Sequence, residues 1–333
     1  MTMTMFASSV PSWWLVKPAQ SRRVAPSLFH KPGLSGRSSV YGRVLYGRDS
    51  LRLCRSGKDA NTPQRPLVLD DDDDDGPRRR ILQMALWAME GVYIGWLFLL
   101  PYAPGDPVWA IKTDTIKLLV DLSLNFFFIL PLTNSVGIHV MEAPTIHPVS
   151  EALFNFVIAW TLMFAPLLFK DRRKENFSGS LEILWVVQMF LTNTLLIPYM
   201  AIRLGDIKNS TSRVKRDPSW LALVMTGGAT VVAVIGAIMG VTSIFWGALG
   251  RSDEGFGTLA DRWDFLVAYL GSDRPTYAFI WDICLYSIFQ PWLISDNIQN
   301  VDENRVKIVN VLRFVPYFGL VAYLLSSKND AKS

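Results

Sequence analysis

The sequence predicts an all-α fold, a polytopic integral membrane helical bundle with about seven transmembrane helices. Half of the 333 residues are hydrophobic and only 19% are charged. The apolar residues come in runs of about 20, the length that a helix rising ~1.5 Å per residue needs to cross ~30 Å of hydrocarbon. These runs lack the alternation of a transmembrane barrel, so helices are expected to satisfy the backbone within lipid.

The predicted transmembrane helical domain covers residues 81–325, and a short polar tail follows at 326–333. Seven apolar segments can be marked in this domain: Ile81–Pro101, Ile116–Val136, Ser150–Phe169, Leu181–Leu204, Trp220–Leu249, Tyr277–Ile294 and Val306–Leu325. Proline lies late in five of them and near the middle of the last: Pro101, Pro131, Pro166, Pro198, Pro291 and Pro316. Simple helix endings are the favoured interpretation of these prolines, and broken helices at a substrate site are the alternative.

Two local patterns predict further detail. Small residues recur at helical spacing in the fifth segment, where they would let another helix approach closely: Ala229, Ala233, Gly236, Ala237 and Gly240. In the following loop, Thr258 and Asp261 are spaced as a capping box, and Gly271 supplies a stop signal. This loop is therefore expected to form a short amphipathic helix that lies in the membrane interface.

Residues 1–54 resemble a cleavable chloroplast transit peptide. Met1 to Val16 carry no charge, and the following stretch is rich in Ser and Arg and poor in acids. Leu53-Cys54-Arg55 resembles a processing site, so cleavage is expected near Cys54; an ordinary disordered tail is the alternative. Residues 55–80 are predicted to be a disordered linker, acidic and then basic. The expected location is a chloroplast membrane, either the thylakoid or the inner envelope.

The net positive charge of the chain does not indicate nucleic-acid binding. Eight of the 33 Lys and Arg residues lie in residues 1–54, against one of the 29 Asp and Glu residues. The remaining chain is therefore slightly acidic, and it has no basic patch interleaved with aromatic residues. The lipid bilayer is the predicted partner, with a photosynthetic membrane complex as a further candidate.

Orientation in the membrane cannot be chosen by counting charges on seven strict crossings, because each side then carries ten Lys and Arg residues. Two basic loops, 170–174 and 203–216, would also lie on opposite sides of a single segment, Leu181–Leu204. Either this segment is re-entrant or one loop breaks the positive-inside rule. The N-terminal side is assigned to the stroma from Arg78, Arg79 and Arg80.

No motif predicts a metal site or a bound cofactor. The mature chain would keep one cysteine, Cys284, and two histidines in one loop, His139 and His147, without a histidine pair on a helix. Dinucleotide-binding glycine loops and serine-hydrolase motifs are also absent from the sequence.

Polar residues within the apolar segments are the candidate site residues, since ionisable groups in lipid normally face a partner or a cavity. Asp121 and Asp282 are the candidates for an acid–base pair, at similar depths from one face. Glu90 and Arg313 are predicted to form a structural ion pair, because their depths from the other face are similar. Two amides are added as polar intramembrane residues: Asn125 and Asn193.

Three classes of function remain open. A non-catalytic assembly or scaffold factor for a photosynthetic membrane complex agrees with short loops and the absence of a soluble domain. A membrane-embedded enzyme acting on an isoprenoid, pigment or lipid would use Asp121 and Asp282 as acid and base. A transporter is the third class, and transporters often contain an internal repeat. Apart from the late prolines, no such repeat is evident in the sequence.

Overall fold

A computed structural model describes residues 76–205 and 218–328. The predicted transit peptide, the linker up to residue 75, most of the loop 203–216 and the end of the polar tail lie outside the described residues.

Helices form all the regular elements of the described residues, apart from one isolated bridge between Val301 and Ser327. The α-helices are α1 Gly76–Ile94, α2 Thr113–Leu124, α3 Ile129–Ser135, α4 Pro148–Phe169, α5 Leu181–Leu191, α6 Leu196–Arg203, α7 Trp220–Gly227, α8 Ala229–Leu249, α9 Leu259–Leu270, α10 Arg274–Asp296, α11 Val306–Leu312 and α12 Phe318–Leu325. The predicted all-α class is confirmed. The predicted loop helix is also present as α9, with Thr258 and Asp261 forming the capping box.

Within residues 76–205 and 218–328, five helices are long and apolar enough to cross a membrane, by length and composition. They are Gly76–Leu99, Thr113–Ser135, Pro148–Phe169, Ala229–Glu254 and Arg274–Asp296. Two of the seven predicted segments, Leu181–Leu204 and Val306–Leu325, are absent from this set because each is broken into two short helices.

The bundle has two ends, which we name after buried residues. At the Arg203 end, Arg203 at the close of α6 binds Asp171, which follows α4, and Asp296 at the close of α10. At the Glu151 end, Glu151 in the first turn of α4 pairs with Arg251, which follows α8. Helix α4 therefore runs from the Glu151 end to the Arg203 end, and α8 runs the opposite way.

Helix α10 runs parallel to α4, and α1 runs against both. Contacts between α4 and α10 follow the same order along each helix: Phe154 with Phe279, Thr161 with Tyr286, and Asp171 with Asn297. At the start of α10, Arg274 donates hydrogen bonds to the carbonyls of Leu97 and Leu100, which follow α1. Helix α1 therefore ends at the Glu151 end.

Helices α5 and α6 form a re-entrant hairpin that we call hairpin 1. Before α5, the Asn176 side chain donates to the carbonyls of Arg203 and Gly205, both at 3.0 Å, so the two ends of the hairpin meet. The turn between the helices, Thr192–Thr194, lies against Asp282 in the interior. The fourth predicted segment enters at the Arg203 end and returns to it.

Helices α11 and α12 form a second re-entrant hairpin, hairpin 2, which also opens at the Arg203 end. The Asp302 amide donates to the Ser326 carbonyl at 3.0 Å, and this contact joins its two ends. At its turn, the Gln290 side chain donates to the carbonyls of Arg313 and Val315, at 3.0 and 2.9 Å. The prediction that Val306–Leu325 crosses the bundle is therefore wrong.

The segment Thr113–Ser135 is bent at Phe126–Phe128. Phe127 and Phe128 both have left-handed backbone angles, which bulky residues adopt only where tertiary contacts enforce them. The amide of Phe127 donates to the Asn155 side chain, and the Phe128 ring packs on Trp246 at 5.0 Å. The bend therefore lies at the Glu151 end, the same end at which the segment begins.

The two halves of the bundle have the same order of elements, which corrects the expectation that the chain lacks a repeat. In residues 76–203 and again in 220–325, a long helix reaches the Glu151 end, shorter helices follow there, a second long helix returns, and a re-entrant hairpin closes the unit. The second long helices share the pattern Phe-x-Pro-x-Leu-x-x-Asp, at 164–171 and 289–296, and both hairpins contain Pro-Tyr. Four of the six prolines, Pro166, Pro198, Pro291 and Pro316, are therefore part of a repeat.

The small residues of the fifth segment line the contact between α8 and its neighbours, as predicted. Ala229, Ala233, Gly236 and Gly240 are buried in α8, which packs along α4. A side chain at Gly236 would overlap the Met163 sulfur, and one at Gly240 would overlap the Tyr317 ring of hairpin 2. The close approach of α8 to both elements therefore depends on the missing side chains.

Gly240→Ala is expected to destabilise the bundle by ~1–3 kcal/mol, because the added methyl group displaces Tyr317 from α8. Thermal unfolding of the purified protein in detergent measures the effect. Gly91→Ala on α1 is the matched control, since its added methyl group meets no atom within 4 Å. An equal loss of stability in both variants would show that α8 tolerates the extra volume.

Candidate functional site

A buried carboxylate lies where hairpin 1 turns. Asp282 of α10 is fully buried, and its Oδ1 accepts hydrogen bonds from the Asn193 side chain at 2.6 Å and the Asn193 backbone amide at 3.2 Å. The Tyr93 hydroxyl of α1 donates to the same oxygen at 3.4 Å. Three elements, α1, α10 and the hairpin turn, therefore meet at one acidic side chain.

A chain of polar contacts continues from Asp282 along α10. Tyr286 lies one turn further, on the same face of the helix. Its hydroxyl is 2.6 Å from the Thr161 hydroxyl of α4 and accepts from the Gln188 side chain of hairpin 1 at 3.2 Å. All of these side chains are buried, so hairpin 1 is held to the long helices by polar groups in an otherwise apolar interior.

Hairpin 1 is closed at its base by a buried ion pair. The Arg203 guanidinium donates two parallel hydrogen bonds to Asp171, each 2.8 Å long, and a third to Asp296 at 2.9 Å. Burial alone would raise the pKa of the Asp171 carboxyl, but Arg203, Tyr199 and Asn297 together hold that pKa below its usual range. Asp171 therefore stays ionised at neutral pH.

A second ion pair organises the Glu151 end. Glu151 is fully buried and accepts from Arg251 at 2.9 Å and from the Trp246 indole at 2.6 Å. The Asn125 side chain also donates to Glu151, and Arg251 reaches the Pro144 carbonyl at 3.0 Å. Asn125, predicted as a polar intramembrane residue, is therefore part of a network that joins α2, α4 and the chain after α8.

The predicted ion pair between Glu90 and Arg313 does not form in the described residues. Glu90 Oε2 and Arg313 Nε are both buried without a hydrogen-bond partner, and the Arg313 guanidinium lies over the Phe314 ring at 4.7 Å. Glu90 faces inward from α1, which packs on α6, whereas Arg313 is in the turn of hairpin 2. Similar depths did not make the two residues neighbours.

Asp121 and Asp282, the candidate acid–base pair, have different surroundings. Asp121 is half-buried on α2, which packs against α4. Asp282 faces α1 and the turn of hairpin 1. Asn193, predicted only as a polar residue, is the side chain that the structure brings to Asp282. The pairing of Asp121 with Asp282 stays a prediction.

Sequence reasoning missed both buried ion pairs. Asp171, Arg203 and Arg251 lie just beyond the marked segments or at their ends, where charged residues are ordinarily solvated. Glu151 lies one residue after the start of its segment, and it was not singled out among the acids. One signal was available for Arg203: the two basic loops that flank Leu181–Leu204 already indicated that this segment is re-entrant.

Searches of protein-family models, curated proteins and solved structures find no match to this chain. Within residues 76–205 and 218–328, no group of three or more His, Cys, Asp or Glu residues is arranged to hold a metal ion.

Replacing Arg203 with Met is expected to destabilise the protein by ~3–5 kcal/mol, because Asp171 is left buried without its counter-charge. Thermal unfolding measures the loss, and adding Asp171→Asn should recover part of it. Lys112→Met is the control: Lys112 pairs with Asp106 at 3.1 Å but is 71% exposed, so the loss should be ~0–1 kcal/mol. Equal losses for Arg203 and Lys112 would contradict the structural role of Arg203.

Proposed function

We propose that this chain is an integral membrane protein of a plastid membrane, that its Arg203 end faces the stroma, and that it moves a small ionic or polar solute. The plastid location rests on the resemblance of residues 1–54 to a chloroplast transit peptide. Solute movement rests on one observation above all: hairpin 1 breaks directly against the buried carboxylate of Asp282.

Contact with lipid is supported by the outward faces of the long helices. Apolar side chains on α8 are largely exposed, among them Val231, Ile238 and Phe245 at 62%, 58% and 61%. So large an apolar surface would be unusual in contact with water, whereas a surface in contact with lipid has to be apolar. We propose four membrane crossings, α1, α4, α7 with α8, and α10, because the bent segment Thr113–Ser135 begins and bends at the Glu151 end.

Orientation is supported by the distribution of basic residues once the hairpins are treated as re-entrant. Eleven Lys and Arg residues of the described chain lie at the Arg203 end: Arg78, Arg79, Arg80, Lys170, Arg172, Arg173, Lys174, Arg203, Arg305, Lys307 and Lys328. Five lie at the Glu151 end: Lys112, Lys117, Arg251, Arg262 and Arg274. The positive-inside rule assigns the first group to the stromal side.

Solute movement is favoured over a purely structural role by the two broken helices. Interrupted helices at the depth of a membrane leave backbone groups that need partners, and membrane proteins tolerate them where they line a binding site or are buried in protein. Parallel repeats that each end in such a hairpin are compatible with the repeat architectures of transporters. A role as an assembly factor for a photosynthetic complex remains the alternative from the sequence.

The orientation predicts which loops share a side. With Cys284 replaced by Ser, cysteines introduced at Ser178 and Glu303 should react with a membrane-impermeant maleimide from the same side of sealed vesicles. A cysteine at Ser252 should react from the other side. All three positions are exposed in the protein. Seven strict crossings would put Ser178 and Glu303 on opposite sides, and that labelling result would refute the re-entrant arrangement.

Transport is tested with purified protein in liposomes, measuring fluxes of Na⁺, K⁺, protons, chloride and phosphate. Asp282→Asn should lower the flux of the transported ion roughly tenfold or more, because it removes the buried charge at the hairpin turn. Asp114→Asn, at an exposed position on α2, is the control and should leave the flux unchanged. If none of these ions crosses the membrane faster than it does in liposomes without protein, ion transport is excluded and the assembly-factor hypothesis is favoured.

A further inference from the structure

The two repeats differ at equivalent surfaces. In the second repeat, the first long helix α8 packs along α4 of the other repeat through buried alanines and glycines. The equivalent helix of the first repeat is α1, and its neighbour in the other repeat is α10. The contact between α1 and α10 is polar, a hydrogen bond from Tyr93 to Asp282. One of two related surfaces is thus packed closely, and the other contains the acids.

Three oxygen atoms on α1 and hairpin 1, the two elements that reach Asp282 from outside α10, are buried without a hydrogen-bond donor in the described chain: Glu90 Oε2, Gln188 Oε1 and Asn193 Oδ1. The nitrogens of the two amides are occupied, by Tyr286 and Asp282 respectively, so their oxygens are the atoms left over. Glu90 is 6% exposed and lies one turn from Tyr93 on the same face of α1. Unsatisfied acceptors of this kind are costly in an apolar interior.

The chemistry of these oxygens limits what could satisfy them. With Glu90 ionised, all three are acceptors, so the missing group must be a hydrogen-bond donor or a cation. A single water could donate two hydrogen bonds, but it would not balance the charge of the Glu90 carboxylate. A divalent cation usually takes more carboxylate ligands than this region offers, and no cluster of three acids is present in the described residues.

We propose that the region between α1, α10 and the turn of hairpin 1 binds a desolvated monovalent metal cation, Na⁺ or K⁺. Glu90 supplies the charge, and the amide oxygens of Asn193 and Gln188 supply neutral ligands. The cation satisfies acceptors that the fold leaves open and neutralises charge in an apolar interior. This inference rests on the proposed transport function and deepens it by naming the class of ion at its site.

Binding is tested in detergent, without transport. The thermal stability of the full-length mature protein is measured in NaCl and in KCl against choline chloride at equal ionic strength. Na⁺ or K⁺ should raise the melting temperature in the wild type and in Asp114→Asn. The increase should be lost in Glu90→Gln and in Gln188→Met. Size-exclusion chromatography and far-ultraviolet circular dichroism establish that each variant is folded.

Three results would overturn the proposal: no difference between the metal cations and choline, an increase that persists in both site variants, or stabilisation by acid alone. The first and third exclude a bound metal cation, and the second locates it elsewhere. None of these results affects the ion flux measured in liposomes with the wild type and Asp282→Asn. A wrong cation site can therefore be distinguished from a wrong transport function. If Glu90→Gln does not fold, Gln188→Met carries the test.

Discussion

Every interruption of a helix inside an apolar bundle frees backbone groups that must find new partners, and the architecture of this protein follows from how they do so. Arg274 donates to five carbonyls in the chain after α1, from Leu97 to Gly105. Gln290 satisfies two carbonyls at the turn of hairpin 2, and Arg262 satisfies two at the end of α8. Long side chains from neighbouring helices thus replace the hydrogen bonds that the breaks remove.

The sequence predicted which residues are helical far better than it predicted where the helices turn. Apolar length cannot distinguish a crossing from two half-length helices, because both bury the same residues. Local signals were present: the polar triplet Thr192–Thr194 and the pair Arg313 and Pro316 lie near the middle of their segments. The turns are fixed by tertiary partners, Asp282 and Gln290, which are distant in the sequence.

Depth along a helix was a poor guide to which charges meet. Glu90 and Arg313 were expected at similar depths, but they belong to different parts of the bundle, because α1 packs on hairpin 1 and Arg313 lies in hairpin 2. The ion pairs that do form lie at the two ends, where Asp171 and Glu151 hold arginines that arrive from other elements. Which charges pair in a bundle depends on which helices lie side by side. That arrangement depends in turn on which segments cross the bundle and which turn back as re-entrant hairpins.

The repeat explains why the polar groups are concentrated on one side. The repeated order of elements gives two related surfaces, and only one of them is polar. At α8 the related surface has small residues, and Tyr317 of hairpin 2 packs there against the aromatic rings of Phe156 and Trp160. At α10 the corresponding hairpin meets Asp282 with Asn193. The first surface is a closely packed contact between the repeats, so the two halves of the bundle are held together there independently of the polar surface.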